Sequence, residues 1–169
     1  VLGLHLVPYA EDLGLSRLHA AGALSVMAPF SLLGKVAFGA VADRVDVRKA
    51  LWLGIALMAV GWLLLLTRPT YALLLATTAL FGLGAGALGP IHGVIIGLCF
   101  GRGAFGRVMG IGSLVGLPFI AGAGPAVGFL FDATRSYQLG FAIQPAILAA
   151  ATVIFFFVTV PRSEPEYSA

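Results

Sequence analysis

Lys35 stands in the interior of an apolar run, FSLLGKVAFGAVADRVDVRK over Phe30 to Lys49. An ammonium there has two chemical uses. It binds the negative charge of an anionic ligand in a water-filled cavity, or it exchanges a proton with that ligand when burial lowers its pKa. Lys35 lies eight residues before Asp43, about 12 Å along a helix from the charged end of the run. The competing reading is snorkelling, with the four-carbon stem carrying the charge to the nearer interface. Helical side chains lean toward the helix N-terminus, which takes Lys35 away from that interface and toward the centre of the apolar stretch. A lysine at such a depth costs roughly 2.5–3.5 kcal/mol on insertion scales, so a cation serving a ligand is the reading we carry forward.

His92 is the second group with chemistry to offer. It follows Gly89-Pro90, where the proline removes a backbone hydrogen bond and opens the helix. It suits a proton or hydrogen-bond relay, and equally a histidine bonded to a neighbouring helix. His5 stands near the end of the first apolar segment and suits an interfacial position. Three histidines, one cysteine (Cys99) and no carboxylate within the apolar runs assemble neither a metal site nor a nucleophile with its base. No enzyme, metal or cofactor is expected. Gly84-Ala-Gly86-Ala-Leu-Gly89 fits the dinucleotide fingerprint only by spacing, since no strand precedes it and no acid follows about twenty residues on.

The elements that hold these residues follow from composition. Hydrophobic residues make up 60% of the chain and charged ones 10%, with a mean hydropathy of +1.03, far beyond what a soluble domain of this size needs for its core. Apolar runs of about 17 to 30 residues match the roughly 20 needed to cross the hydrocarbon as helix. Runs this long without dyad alternation exclude a barrel. The sequence therefore predicts an all-α, polytopic transmembrane helical bundle, with spans at 1–10 (partial), 20–42, 51–67, 71–100, 104–131 and 139–160, joints between them, and a polar tail at 161–169.

Charge sets an orientation. Arg44, Arg48, Lys49, Arg102, Arg107 and Arg162 fall on one side, and Arg17, Arg68 and Arg135 on the other. The richer side, with the 43–49 joint and the C-terminus, is predicted to be cytoplasmic. The cations are scattered over short joints rather than gathered on one face, which argues against nucleic acid as a partner and leaves the lipid bilayer. Trp52, Trp62, Tyr71 and Tyr137 fall near span ends, as interfacial anchors do. Glycines at four-residue spacing, Gly82 and Gly86, Gly89, Gly93 and Gly97, Gly106 and Gly110, Gly112 and Gly116, Gly124 and Gly128, predict spans that pack tightly against neighbours. Scarce Lys and absent Asn beside abundant Ala, Gly and Arg suggest a GC-rich bacterial genome, hence a bacterial inner membrane.

Four segments carry a resemblance: HLVPYAEDLGLS at 5–16, GKVAFGAVADRVDVRK at 34–49, FGRGAFGRVMG at 100–110 and GPAVGFLFDATRSY at 124–137. Together they resemble the second six-helix half of a major facilitator superfamily carrier of monocarboxylate-transporter-like or oxalate/formate-antiporter-like type. The resemblance implies helices seven (truncated) to twelve, a missing N-terminal six-helix half as partner, and no cofactor. Gly39, Asp43, Arg44, Arg48 and Lys49 resemble the superfamily's signature loop, G-x-x-x-D-R-x-G-R-[RK], which departs here with Asp46 at the glycine and Val47 at the first basic position. The implied role of that loop is a latch closing the cytoplasmic side. Lys35, four residues before Gly39, occupies the place of the helix-eight cation of monocarboxylate transporters. Ser31 stands where those proteins carry an acid one turn earlier, so an anion antiporter suits the pattern at least as well as a proton symporter.

The resulting expectation is a carrier working by alternating access in the plasma membrane, with a small organic anion bound near the midplane. Lys35 supplies the charge, and His92 and Ser31 supply hydrogen bonds. Three alternatives stay open: the same carrier fold for a neutral or drug-like solute, an oligomeric pore, and a membrane scaffold without transport.

Overall fold

A computed structural model describes residues 1–42 and 44–161. Asp43 and the tail from 162 to 169, on which one latch residue and most of the tail prediction fall, lie outside the described residues. Every element is an α-helix: α1 (Leu2–Asp12), α2 (Arg17–Ala42), α3 (Val47–Leu66), α4 (Tyr71–Thr134) and α5 (Gln138–Phe156). Among the described residues, α2 to α5 are long and apolar enough to cross a membrane.

At 64 residues α4 would run about 96 Å if straight, three times the hydrocarbon thickness. It is not straight. Gly101 has φ 71° and ψ 173°, a conformation open essentially to glycine alone, and it splits α4 into two arms. The arms run back alongside each other, because Leu74 near one end and Val127 near the other are buried in the same cluster. The predicted joint at Arg102-Gly103 thus turns one residue earlier, at the glycine able to reverse the chain.

Two clusters hold the bundle, one toward each membrane face. The first joins Leu6, Tyr9 and Ala10 of α1, Ala20 and Ala23 of α2, Trp62 and Leu65 of α3, Leu74 and Val127 of α4, and Phe141 of α5. Its centre is aromatic. Phe141 packs against Tyr9 at 4.9 Å and Trp62 at 5.3 Å between ring centroids, and Trp62 meets Phe81 edge-on at 5.3 Å. Trp62 and Tyr137 are therefore core residues, 3% and 5% exposed, rather than the interfacial anchors their positions suggested. The second cluster, Phe38, Val47, Ala50, Ala87, Ile91 and Val160, lies at the opposite end.

Helix ends in a low-dielectric surrounding must find partners for their last carbonyls. In α3 side chains supply them. Thr67 Oγ1 donates to the Leu64 carbonyl at 2.7 Å, the Tyr9 hydroxyl donates to that of Leu65, and Gln138 Nε2 donates to that of Leu66 at 3.3 Å. Its other end is capped by Asp46, whose carboxylate accepts from the Arg48 amide at 2.9 Å.

Candidate functional site

Lys35 sits on α2, and what positions it is glycine on α4. A Cβ on Gly82 would meet the Met27 carbonyl oxygen at 2.5 Å, and one on Gly86 would collide with the Ser31 carbonyl and stand 3.0 Å from the Lys35 amide nitrogen. In return Gly34 of α2 presses on the Leu83 carbonyl. The two backbones are in contact over this stretch, so the Lys35 main chain is held by atoms that cannot rotate away. Ser31, one helical turn earlier, shares the contact through its backbone.

The Lys35 side chain itself is exposed, flanked on α2 by Leu32 and Val36, which are 63% and 68% exposed. Among the described residues it makes no ion pair. Pro90 adds an acceptor nearby: having no N–H, it leaves the Gly86 carbonyl without its helical donor. The α2–α4 contact thus combines a cation, a serine hydroxyl and a carbonyl released by proline. That set can bind a carboxylate and exchange hydrogen bonds with its substituents.

His92 belongs to a different surface. It is exposed on α4 and lines a cleft of about 520 Å³ with Leu51 of α3, Leu88, Gly89 and Ile95 of α4, and Phe155 of α5. The Gly82 and Gly86 stripe faces α2, and His92 lies about a quarter turn from it at 100° per residue. Lys35 and Ser31 come together; His92 does not join them. His5 spans two helices, its Nε2 donating to the Gly124 carbonyl oxygen at 2.9 Å. A carbonyl only accepts, so the proton is on Nε2.

In the signature loop, Gly39 has open space about its Cα, and Arg44 and Lys49 are exposed. Arg48 is engaged. Its Nη2 donates to the carbonyl of Phe156, the last residue of α5, at 2.9 Å, and its guanidinium lies 5.9 Å from the Trp52 ring. Sequence reasoning treated Asp46 only as a departure from the loop pattern. An acid two residues before an amide at a helix start is an N-cap signal, and it was there to be read.

This arrangement of apolar helices, glycine contacts and a charged α2–α3 joint matches a known family model. The Major Facilitator Superfamily model covers residues 2–169. The chain belongs to the Major Facilitator Superfamily. Its members of the monocarboxylate transporter type are transporters, not enzymes. This superfamily chain is 33% identical to Monocarboxylate transporter 13 of Bos taurus over 96% of its own length and 40% of that protein's. It is 34% identical to Monocarboxylate transporter 13 of Rattus norvegicus over 94% of its length and 37% of that protein's. With Monocarboxylate transporter 2 of Homo sapiens it shares 28% identity over 89% of its length and 32% of that protein's. The chain thus spans about two fifths or less of these relatives.

Proposed function

We propose that this chain is the C-terminal half, residues 1–160 with a cytoplasmic tail at 161–169, of a secondary active carrier for small organic anions. The carrier works by alternating access against an N-terminal six-helix half. The observation that carries this reading is Lys35. It is an exposed cation on an apolar face, its backbone held by the α2–α4 glycine contact, with no ion pair among the described residues. A cation retained at that depth without a carboxylate partner is costly unless an anion visits it. The names of the relatives, monocarboxylate transporters, agree with a carboxylate in that role.

Ser31 donates a hydrogen bond to the bound anion. His92, about a quarter turn around α4 from the α2 contact, serves as a hydrogen-bond or proton relay rather than a direct contact. Without an acid in place of Ser31, anion exchange and proton symport are both compatible with this site. Gly39, Asp43, Arg44, Arg48 and Lys49 form the cytoplasmic latch, with Arg48 tying the loop to α5 and Arg44 and Lys49 free to meet the other half. The excess of cations on the 43–49 side supports a cytoplasmic C-terminus in the plasma membrane. The relatives named above are vertebrate proteins, so assignment to a bacterial inner membrane rests on composition alone.

The deciding experiment is uptake of radiolabelled lactate, pyruvate, formate and oxalate into proteoliposomes holding the complete carrier. Lys35→Ala is expected to lower kcat/KM for the transported anion at least tenfold, and Lys35→Arg to restore much of it. Saturable uptake indifferent to Lys35→Ala would move the reading to a neutral solute, and unsaturable conductance to a pore.

A further inference from the structure

A polar-rimmed cavity lies at the end of the bundle where α2 joins α3. Its volume is about 530 Å³, with Arg44, Asp46 and Arg48 on its polar side and Val94, Leu98 and Val160 on its apolar side. Asp46 is occupied, since its carboxylate caps α3 through the Arg48 amide at 2.9 Å. Arg48 is only partly satisfied. Nη2 is fixed on the Phe156 carbonyl, but among the described residues the buried Nε finds no partner. The Nε1 of Trp52, the ring beside that guanidinium, is likewise buried with no partner among the described residues.

A buried donor on a charged group is expensive to leave unpaired, and a guanidinium offers its remaining donors in a fork that fits tetrahedral or planar oxyanions. Two arginines against one carboxylate leave the cavity lining net positive. The apolar wall of Val94, Leu98 and Val160 gives no second polar group to a small hydrated ion, but it accommodates the glycerol and first methylenes of a lipid. Trp52 belongs at the headgroup level, where amphipathic aromatic rings gather.

We infer that this cavity binds a phosphate group, that of an anionic phospholipid from the adjoining leaflet, between Arg44 and Arg48. The site is separate from the Lys35 surface and does not depend on what the carrier transports.

The test uses the complete purified carrier in detergent, titrated with phosphatidylglycerol, phosphatidylcholine or inorganic phosphate, with bound lipid counted by native mass spectrometry and stability read by melting temperature. Phosphatidylglycerol is expected to bind saturably and raise the melting temperature, with phosphatidylcholine ineffective. Arg48→Gln should weaken that binding about tenfold and Arg44→Gln severalfold, as loss of charge-assisted bonds does. Lys49→Gln, which removes the same charge from an exposed position off the cavity, should stay within about twofold of the unmodified protein. If Arg48→Gln disrupts the α5 anchor and fails to fold, Arg44→Gln carries the comparison with Lys49→Gln. Stabilisation by inorganic phosphate alone, lost in the same two arginine variants, would keep the anion site and assign it to a free anion. Equal weakening by all three substitutions, no weakening by any, or equal binding of phosphatidylcholine would overturn the proposal.

Discussion

Gly86 of α4 and Ser31 of α2 touch through their backbones, and the Lys35 amide nitrogen stands 3.0 Å from where a Cβ on Gly86 would lie. The glycine is thus the reason that Lys35 occupies the position it does. Gly86→Ala should push α2 away or collapse the contact, costing about 1–3 kcal/mol as overpacking against rigid backbone does. Gly89→Ala, three residues on and with open space about its Cα, should be neutral or slightly stabilising through helix propensity. Thermal unfolding of the two variants in detergent checks the contrast. Equal melting temperatures would refute the contact.

Tyr9 connects α1 to α3 through the last-turn carbonyl of Leu65, and Phe141 fills the space between the helices around it. Tyr9→Phe keeps the ring and removes the bond, so a loss of about 1 kcal/mol is expected. Phe141→Ala leaves a cavity among Tyr9, Trp62 and Tyr137 and should cost about 3–5 kcal/mol. Denaturant titration of both variants measures the ratio. A larger loss for Tyr9→Phe would place the stabilisation in the hydrogen bond instead.

Lys35 and His92 face different surfaces of the bundle. In transport assays on the complete carrier, the effects of Lys35→Ala and His92→Ala on kcat/KM should therefore add, with a coupling within about 0.5 kcal/mol. A coupling well above about 1 kcal/mol would mean that both side chains grip one ligand.

Tyr137, in the joint between α4 and α5, is buried against Phe131 at 4.3 Å and Phe141 at 5.4 Å. Burial raises its phenol pKa above the usual 10.0, and the charges of Asp12 and Asp132 raise it further. A folded-state pKa above the unfolded one means that the folded chain holds its proton longer. The resulting stability is fully present below pH 10 and falls as pH rises from there through the folded pKa. Melting temperature should therefore drop more steeply above pH 10 in the unmodified protein than in Tyr137→Phe. Parallel alkaline limbs would show that the phenol ionises as freely folded as unfolded.

Helical, membrane-spanning character was legible in the sequence because it depends on local quantities: the length of an apolar run and the cost of an unpaired backbone in lipid. The unusual position of Lys35 was legible for the same reason, since one charge among apolar neighbours needs no partner to be noticed. Glycine was legible only in part. Four-residue spacing marked Gly82 and Gly86 correctly, yet Gly106, Gly110, Gly112 and Gly116 share that spacing and have nothing within 4 Å among the described residues. Spacing places glycines on one helix face and says nothing of whether another helix lies against it.

Sequence alone determined that this chain folds as apolar helices joined by charged turns, with a cation set within the apolar run of one of them, because hydropathy and helix period act residue by residue. Tertiary structure decided which partners those residues meet. Gly101 could turn α4 back on itself because its missing side chain permits φ 71°, and that reversal brought Val127 and Leu74 into one buried cluster. Arg48 reached the end of α5 rather than the solvent, Trp62 went into the core rather than to the interface, and His92 turned from Lys35 toward α3 and α5. Each of these depends on contacts between residues distant in the chain, and no local pattern encodes the distance between two helices.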